Sequence, residues 1–204
     1  MITKNKTIKE AFKKSPFFIS YLITDPLEYG KSIEKFTTTL TNTLSKYKVD
    51  ILCFRDKETL NIEELAKTCL TISKQFNIKK VLINSNIDLA IKLGFDGVHL
   101  TSLQFDKIQV SKQKSLFTII SCHTEDEVNI AKINGADCIT YSPIFYKENK
   151  GLPKGIKKLT NIVEKYQTSQ FNIIALGGVI DENHLEKIKK TNSAGFASIR
   201  YFIN

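Results

Sequence analysis

One histidine of this sequence lies where chemistry is expected in an α/β protein, at the end of a predicted strand. The strand is the apolar run Phe117 to Ile120, and His123 follows after a Ser-Cys pair. Thr124 and Glu127 then form a Thr-x-x-Glu capping box, which predicts that a helix begins directly after the imidazole. Catalytic groups of parallel α/β proteins gather at the carboxyl ends of strands. We therefore predict that His123 is a general acid or base.

The elements that must position this histidine alternate between short apolar segments and segments with helical spacing. The predicted strands are residues 19–23, 49–54, 80–83, 97–100, 117–120, 137–141, 172–176 and 195–199. The predicted helices are residues 32–47, 61–76, 86–93, 124–134, 157–166 and 181–190, with a short basic helix or frayed arm at 6–14. No hairpin signal separates the strands, which favours a parallel sheet.

This order predicts a parallel eight-stranded (β/α)8 TIM barrel that forms one domain over residues 1–204, with residues 1–16 as an N-terminal arm or short helix. The alternative is an open doubly wound sheet, but no Gly-x-Gly-x-x-Gly motif follows the first strand. Few residues follow the last strand, so we expect the barrel to lack a final C-terminal helix. Aromatic residues outside strand eight would then need cover from residues 6–14 or from a second copy, and we expect a homo-oligomer.

Composition argues against several classes of partner. The net charge of +9 is spread as lysines interleaved with glutamates, without a long basic run or a nucleic-acid-binding motif, so we expect no nucleic acid partner. The apolar runs are strand-length and the N-terminus lacks a signal-peptide core, so we expect no membrane and a cytoplasmic location. The four cysteines form no Cys-x-x-Cys pair and are expected to be free, buried thiols.

In a barrel the strand ends converge on one pocket, and this pocket is predicted to bind a phosphorylated small molecule. The glycine pair after strand seven and an arginine after strand eight form the expected phosphate site. No set of His, Cys and carboxylate residues has metal-ligand spacing, so no metal or cofactor is expected. The candidate residues are Arg55, Lys57, Asn84, Ser102, Ser142 and Lys150 for the substrate, and Gly177, Gly178 and Arg200 for its phosphate.

Some of these residues also have a plain structural interpretation. The alternative for Gly177-Gly178 is a tight turn that binds no phosphate, and the alternative for Arg55 and Lys57 is a solvated turn. His99 lies inside a four-residue strand, so we expect it to pack or to form hydrogen bonds within the barrel rather than to catalyse. His184 lies on an amphipathic helix and is expected to face solvent.

Short motifs in consistent order, from about residue 19 to the C-terminus, resemble the family of thiamine phosphate synthases and thiazole tautomerases. The motifs are Tyr21-Leu-Ile-Thr-Asp25, Phe54-Arg-Asp-Lys57, Leu82-Ile-Asn84, Asp88-Leu-Ala90, Gly97-Val-His-Leu100, Ser121-Cys-His-Thr124, Gly135-Ala-Asp137, Ser142-Pro-Ile-Phe145, Ala175-Leu-Gly-Gly178 and Ala194-Gly195. Each motif is weak alone, and their ordered succession carries the resemblance. It implies a (β/α)8 barrel of thiamine biosynthesis.

The resemblance implies two activities, and the pocket residues bear on which one applies. The synthase joins a pyrimidine diphosphate to a thiazole phosphate, with Mg²⁺ held by one aspartate after strand three and another after strand four. Those positions are Ser85 and Gln104 here. Serine and glutamine do not replace carboxylates around a hard divalent ion. The loop that carries a threonine in the synthase differs here, at residues 146–150. The synthase also has a glutamine two residues before the arginine that corresponds to Arg55, and that position is Cys53 in this sequence.

The thiazole tautomerase of this family needs no metal and moves a proton to convert a non-aromatic thiazole carboxylate phosphate into its aromatic tautomer. The resemblance makes His123 its general acid/base, with Arg55 and Lys57 at the carboxylate or ring and Gly177-Gly178 at the phosphate. Arg200 stands where the family has a small serine, and it either strengthens or fills the phosphate site. We expect a tautomerase-like isomerase. The alternatives are a thiamine-phosphate synthase, a transferase, with an atypical Mg²⁺ site, and an inactive barrel that binds a thiazole phosphate.

Overall fold

Eight parallel strands close into a barrel in which neighbouring strands follow the order of the chain. The computed structural model describes residues 18–59, 62–148 and 151–203. The strands are β1 (Ile19–Ile23), β2 (Ile51–Phe54), β3 (Lys80–Asn84), β4 (Gly97–Leu100), β5 (Phe117–Cys122), β6 (Cys138–Tyr141), β7 (Asn172–Leu176) and β8 (Gly195–Ser198). The (β/α)8 barrel predicted from the sequence is therefore confirmed.

Helices follow the strands around the outside of the barrel. In the described ranges they are α1 (Pro26–Tyr29), α2 (Ile33–Lys46), α3 (Ile62–Gln75), α4 (Ile87–Leu93), α5 (Lys107–Gln113), α6 (Glu125–Ile133), α7 (Gly155–Tyr166) and α8 (Glu182–Lys189). A single 3₁₀ turn, Arg200–Phe202, follows β8. None of the described helices is both long and apolar enough to cross a membrane.

Two glycines let neighbouring strands approach each other closely. The barrel closes where β1 pairs with β8, with Ile19 opposite Gly195. A Cβ at Gly195 would lie 2.2 Å from the carbonyl oxygen of Ile19, and one at Gly97 would lie 1.9 Å from that of Phe117. Since a real Cβ cannot occupy either position, both strand starts depend on glycine.

The alternation of side chains along each strand places the candidate site. Outward residues pack under the helices, while the inward residues form a separate apolar cluster in the barrel interior. Tyr21, Cys53 and Ile119 belong to this inner cluster. Because side chains alternate with a period of two, Asp25, Arg55 and His123 continue these inward rows at the carboxyl ends of their strands.

Helix starts agree with the capping residues read from the sequence. Thr124 and Glu127 form the expected capping box at the start of α6. Asn86 Oδ1 accepts the Leu89 N–H at 2.9 Å, and Asp181 Oδ1 accepts the His184 N–H at 2.8 Å. Each bond satisfies one of the N–H groups that a helix start leaves without a partner.

Two short helices, α1 and α5, were not predicted from the sequence. Helix α1 has four residues and begins at Pro26, too short for a periodic pattern. Helix α5 begins after Asp106, whose side chain makes no capping hydrogen bond. The predicted N-terminal helix at 6–14 and the predicted cap at Asn61 lie outside the described residues.

The aromatic residues outside β8, which were expected to need cover from residues 6–14 or from a second copy, are buried. Phe196 and Phe202 are only 3% and 1% exposed. The 3₁₀ turn folds Phe202 back onto Phe196, with ring centroids 5.7 Å apart, and Phe18 stacks on Phe196 at 5.8 Å. Tyr47, the residue that follows α2, also packs edge to face against the Phe202 ring, with ring centroids 5.7 Å apart. Described residues therefore cover Phe196 and Phe202, and the homo-oligomer stays a prediction.

Candidate active site

His123 lies at the mouth of the barrel with one ring nitrogen held by the neighbouring strand end. Its Nδ1 is 3.1 Å from the carbonyl oxygen of Ser142 and 3.2 Å from the Ser142 hydroxyl. The backbone N–H of His123 donates to the Glu127 carboxylate, the group that also completes the capping box. The structure thus brings together two candidate residues from β5 and β6, as the sequence predicted.

The contact with Ser142 determines which nitrogen of His123 carries the proton. A carbonyl oxygen can only accept, so we assign the proton to Nδ1, which then donates to it. In the neutral ring Nε2 then has a free lone pair. Among the described residues no hydrogen bond to Nε2 is present, and the side chain is half-buried. The imidazole can therefore accept a proton at Nε2 while Ser142 keeps the ring oriented.

A buried polar network lies beneath the mouth and was only partly foreseen. His99 Nδ1 is 2.8 Å from the Tyr21 hydroxyl, and Nε2 is 3.0 Å from Ser121 Oγ and 3.3 Å from Thr140 Oγ1. His99 is 4% exposed, so burial, followed by the charge of Arg55, lowers its pKa to about 4. The structural role expected for His99 is confirmed. Ser121 and Thr140 were missed, although Ser121 stands two residues before His123 and so shares its face.

Arg55 is ion-paired rather than free. Its Nη1 bonds to the Asp25 carboxylate at the end of β1, and the two side chains are 28% and 18% exposed. Thr24 Oγ1 accepts the Arg55 N–H at 2.9 Å and donates to the Arg55 carbonyl at 3.2 Å. The ends of β1 and β2 are thereby joined, and the solvated-turn interpretation fails for Arg55. Lys57, two residues further on, is exposed.

The ends of β3 and β4 form a hydrogen-bonded network of neutral side chains. Asn84 Nδ2 donates to Ser85 Oγ at 2.5 Å, and Gln104 Nε2 donates to the Ser85 carbonyl at 3.1 Å. Gln104 Oε1 accepts from both the N–H and the hydroxyl of Thr101, at 3.0 and 3.2 Å. Ser102 is half-buried beside this network. The polar groups of Ser85 and Gln104 are thus engaged with their neighbours.

This donor set does not fit a magnesium ion. Mg²⁺ in proteins is held by carboxylates, with water and phosphate oxygens completing an octahedron. Ser85 and Gln104, at the positions that the family resemblance assigns to metal aspartates, offer a neutral hydroxyl and a neutral amide oxygen that already accept hydrogen bonds. Within the described ranges, no group of three or more His, Cys, Asp or Glu side chains could hold a metal ion.

The glycine pair after β7 has a definite packing role. Gly177 and Gly178 have φ angles of 95° and 71°. A Cβ at Gly178 would lie 2.5 Å from the Tyr146 carbonyl oxygen. The loop after β6 lies directly against this turn, since Phe145 N–H donates to the Gly177 carbonyl at 3.0 Å. The tight turn is therefore confirmed, and phosphate binding at the pair stays a prediction.

Arg200 is exposed directly after β8, at the first position of the 3₁₀ turn. Ser198 Oγ donates to the Val179 carbonyl at 2.7 Å and accepts the Tyr201 N–H at 3.1 Å, which joins this turn to the loop after β7. The predicted phosphate residues of β7 and β8 therefore belong to two connected loops. Lys150, also a candidate, lies outside the described residues.

The expectation that His184 faces solvent is wrong. Its side chain is 19% exposed, and its ring stacks on Phe145 with centroids 4.0 Å apart. Nδ1 is buried, 3.3 Å from Asp181 Oδ1 but without hydrogen-bond geometry. The loop after β6 reaches across to α8, a tertiary contact that the helical pattern of α8 does not indicate.

The four cysteines are free and buried, as predicted. Burial raises the pKa of Cys53 to about 12, and the pKa values of Cys69, Cys122 and Cys138 are also raised by burial. These thiols are therefore protonated at neutral pH and contribute no nucleophile.

A closed parallel barrel with an imidazole, an arginine and a glycine turn at the carboxyl ends of its strands belongs to the (β/α)8 class, whose active sites lie at that end. The model of the family described as "Thiamine monophosphate synthase" matches residues 20–202. The chain belongs to this family, which functions in thiamine biosynthesis.

Individual relatives agree with this assignment. The chain is 34% identical over 191 residues to "Putative thiamine-phosphate synthase 2" of Aquifex aeolicus, covering 90% of this chain and 96% of the relative. It is 32% identical to a "Thiamine-phosphate synthase" of Campylobacter jejuni, covering 84% and 80%. The solved structure "Thiamine phosphate pyrophosphorylase from Pyrococcus furiosus" superposes with a TM-score of 0.71 at 19% identity, covering 89% of this chain and 85% of that one. This last likeness shows the fold.

Proposed function

We propose that the protein is a metal-independent isomerase that moves a proton on a thiazole carboxylate phosphate, converting a non-aromatic tautomer into the aromatic one. The observation that carries the proposal is the contrast between two parts of the mouth. His123 is oriented with Nε2 available, whereas the two positions suited to metal aspartates hold neutral side chains bonded to their neighbours.

In this reaction His123 Nε2 removes a proton from a ring atom of the substrate. The imidazolium that forms is stabilised because Nδ1–H donates to the Ser142 carbonyl. The same nitrogen then returns the proton at a second atom, so the ring becomes aromatic and the histidine returns to its neutral form. Arg55 and Lys57 bind the carboxylate of the substrate. Gly177, Gly178 and Arg200 bind its phosphate.

A second candidate function is thiamine-phosphate synthesis. It is favoured by the comparisons, because the family and the curated relatives carry that name. This transferase would have to bind a diphosphate and its Mg²⁺ without the two aspartates. Asn84, Ser102 and Lys150 would then contact the two substrates in place of the usual metal ligands.

The test is a pair of assays on the purified full chain. Tautomerisation is followed by NMR in D₂O as the aromatic thiazole forms, with deuterium entering the carbon that receives the proton, because the proton held on His123 Nε2 exchanges with the solvent. Synthesis is followed as thiamine phosphate formed from the pyrimidine diphosphate and thiazole phosphate. We expect deuterium incorporation at the same rate in EDTA and in Mg²⁺.

Three outcomes separate the candidates. Deuterium incorporation that is lost in a His123→Gln variant and kept in a matched His184→Gln variant supports the proposal. Thiamine phosphate formation that requires Mg²⁺ would establish the synthase instead. Binding of thiazole phosphate with neither reaction would leave an inactive barrel and refute both enzymatic assignments.

A further inference from the structure

Gln104 joins the ends of two neighbouring strands through both ends of its amide. Its Nε2 donates to the Ser85 carbonyl oxygen, directly after β3, at 3.1 Å. Its Oε1 accepts from the N–H and the hydroxyl of Thr101, directly after β4, at 3.0 and 3.2 Å. The Gln104 N–H also donates to the Thr101 carbonyl at 3.0 Å, which closes the turn that carries Ser102. One side chain therefore links the ends of β3 and β4 at the barrel mouth.

The partners of Gln104 suit an amide and not an ionised carboxylate. A carbonyl oxygen can only accept and a backbone N–H can only donate, so a side chain between Ser85 and Thr101 needs one donor and one acceptor. Glutamate has the same shape as glutamine, but its ionised carboxylate has no donor for the Ser85 carbonyl. The two bonds together therefore require glutamine at position 104.

The link holds a backbone conformation that serine rarely adopts. Ser85 has a φ of 64°, and its N–H donates to the His99 carbonyl at 2.9 Å. Asn84 Nδ2 donates to Ser85 Oγ at 2.5 Å. The bond from Gln104 to the Ser85 carbonyl adds a further restraint on this conformation. Two candidate substrate residues, Asn84 and Ser102, are thus each next to a residue that Gln104 binds.

We propose that Gln104 is a positioning residue, whose amide holds Asn84 and Ser102 in place for a thiazole phosphate and replaces a divalent cation as the link between these strand ends. The inference rests on the proposed function in taking the barrel mouth as the substrate site. A divalent cation joins two loops through carboxylates that bind it from both sides. Ser85 and Gln104 offer neutral groups that are already hydrogen-bonded, and the amide joins the same loops without an ion.

The first test is the affinity of thiazole phosphate in EDTA, measured by calorimetry for wild type, Gln104→Met and Gln104→Glu. Methionine has a similar shape but forms neither bond, and glutamate keeps only the bonds from Thr101. We expect both variants to bind about tenfold more weakly, because the Ser85 carbonyl loses its donor. The methionine variant separates this loss from the effect of an added charge. The control Gln109→Glu makes the same change at an exposed position of α5 and should bind like wild type.

Hydrogen exchange of the Thr101 N–H reads the link without any ligand. We expect this exchange to be faster than wild type in Gln104→Met, where the acceptor is lost, and not in Gln104→Glu, where a carboxylate oxygen still accepts.

The second test asks whether a cation can restore the link. Ser85→Asp/Gln104→Asp places a carboxylate at both strand ends and removes the amide, and aspartate tolerates the positive φ of position 85. We expect this double variant to bind thiazole phosphate at least about tenfold more weakly than wild type in EDTA, and to recover to within about threefold of wild type when Mn²⁺ is added. Wild type and Gln104→Met should bind equally in Mn²⁺ and in EDTA.

Wild-type affinity in Gln104→Met would overturn the positioning role, and equal Thr101 exchange in wild type and Gln104→Met would overturn the link itself. A double variant that does not recover in Mn²⁺ would overturn the replacement of a cation by the amide. Thiazole phosphate binding is expected of the isomerase, the synthase and the inactive barrel alike. Failure of the isomerase assay would therefore refute the proposed function without deciding this inference, and the reverse also holds.

Discussion

Acidification should destabilise this protein through one buried imidazole. His99 lies inside the barrel, 4% exposed, between the Tyr21 hydroxyl at 2.8 Å and Ser121 Oγ at 3.0 Å. A neutral imidazole has one donor and one acceptor, which suit these two hydroxyl neighbours. Protonation would place a charge in the interior, near the positive charge of Arg55, and so the pKa of His99 is lowered to about 4.

The sign and size of the effect follow from this pKa. The unfolded chain binds the proton with a pKa near 6.5, and the folded protein only near 4. The stabilising contribution of the neutral ring is therefore complete above pH 6.5 and is lost as the pH falls towards 4. Since one pKa unit corresponds to about 1.4 kcal/mol, the loss amounts to about 3 kcal/mol.

The measurement is the free energy of unfolding in urea at a series of pH values from 7.5 to 4, for wild type and for His99→Gln and His99→Asn. The variants keep a polar side chain and do not titrate. Carboxylates contribute equally to the pH dependence of unfolding in all three proteins, so the difference between the pH profiles isolates the contribution of His99. We expect wild type to lose about 3 kcal/mol more than either variant over this range. Parallel profiles would refute the assignment of a depressed pKa to His99.

Other predictions concern the site and the core. His123→Ala should keep the fold, shown by circular dichroism, but lose at least about a hundredfold in turnover, the usual scale for a general acid/base; a variant within about threefold of wild type would remove His123 from the mechanism. Gly178→Ala should destabilise the protein by about 1–3 kcal/mol in thermal unfolding, because φ is 71° and the added methyl meets the Tyr146 carbonyl; unchanged stability would contradict the packing argument. Thiazole phosphate should bind with equal affinity in Mg²⁺ and in EDTA and more weakly at high salt, whereas binding only with Mg²⁺ would favour the synthase. A thiol reagent should modify none of the four cysteines in the native protein and all four in guanidinium; rapid native labelling would show that the thiols are accessible.

Much of the barrel was predictable because its strands are short, apolar and separated by helix-capping signals. β1, β4 and β7 begin and end at the predicted residues. The elements that were not predicted share a physical cause. Helix α5 has no side-chain cap, and the 3₁₀ turn after β8 is held by aromatic packing on Phe196 rather than by local propensity. Contacts between distant segments leave no periodic pattern in the sequence.

The candidate site was predictable in its position but not in its internal bonds. Strand ends identify His123 and Ser142 as neighbours, because β5 and β6 are adjacent in a barrel of this order. The partners of Arg55 and Gln104 could not be read from the sequence, since each depends on the side-chain orientations at two strand ends. The predicted exposure of His184 was wrong for a similar reason, because its helix contacts the loop after β6.

The pairing of β1 with β8 has a consequence for how activity arises during synthesis and refolding. The contact between Ile19 and Gly195 joins the first and last strands of the barrel, so it is the pairing with the longest sequence separation. We expect this contact to form late, because a long loop must close before it contributes stability. Until then Arg55 and Arg200 belong to separate parts of an open sheet. Recovery of ligand binding during refolding therefore measures the final step of barrel closure, whereas recovery of helical signal measures earlier steps.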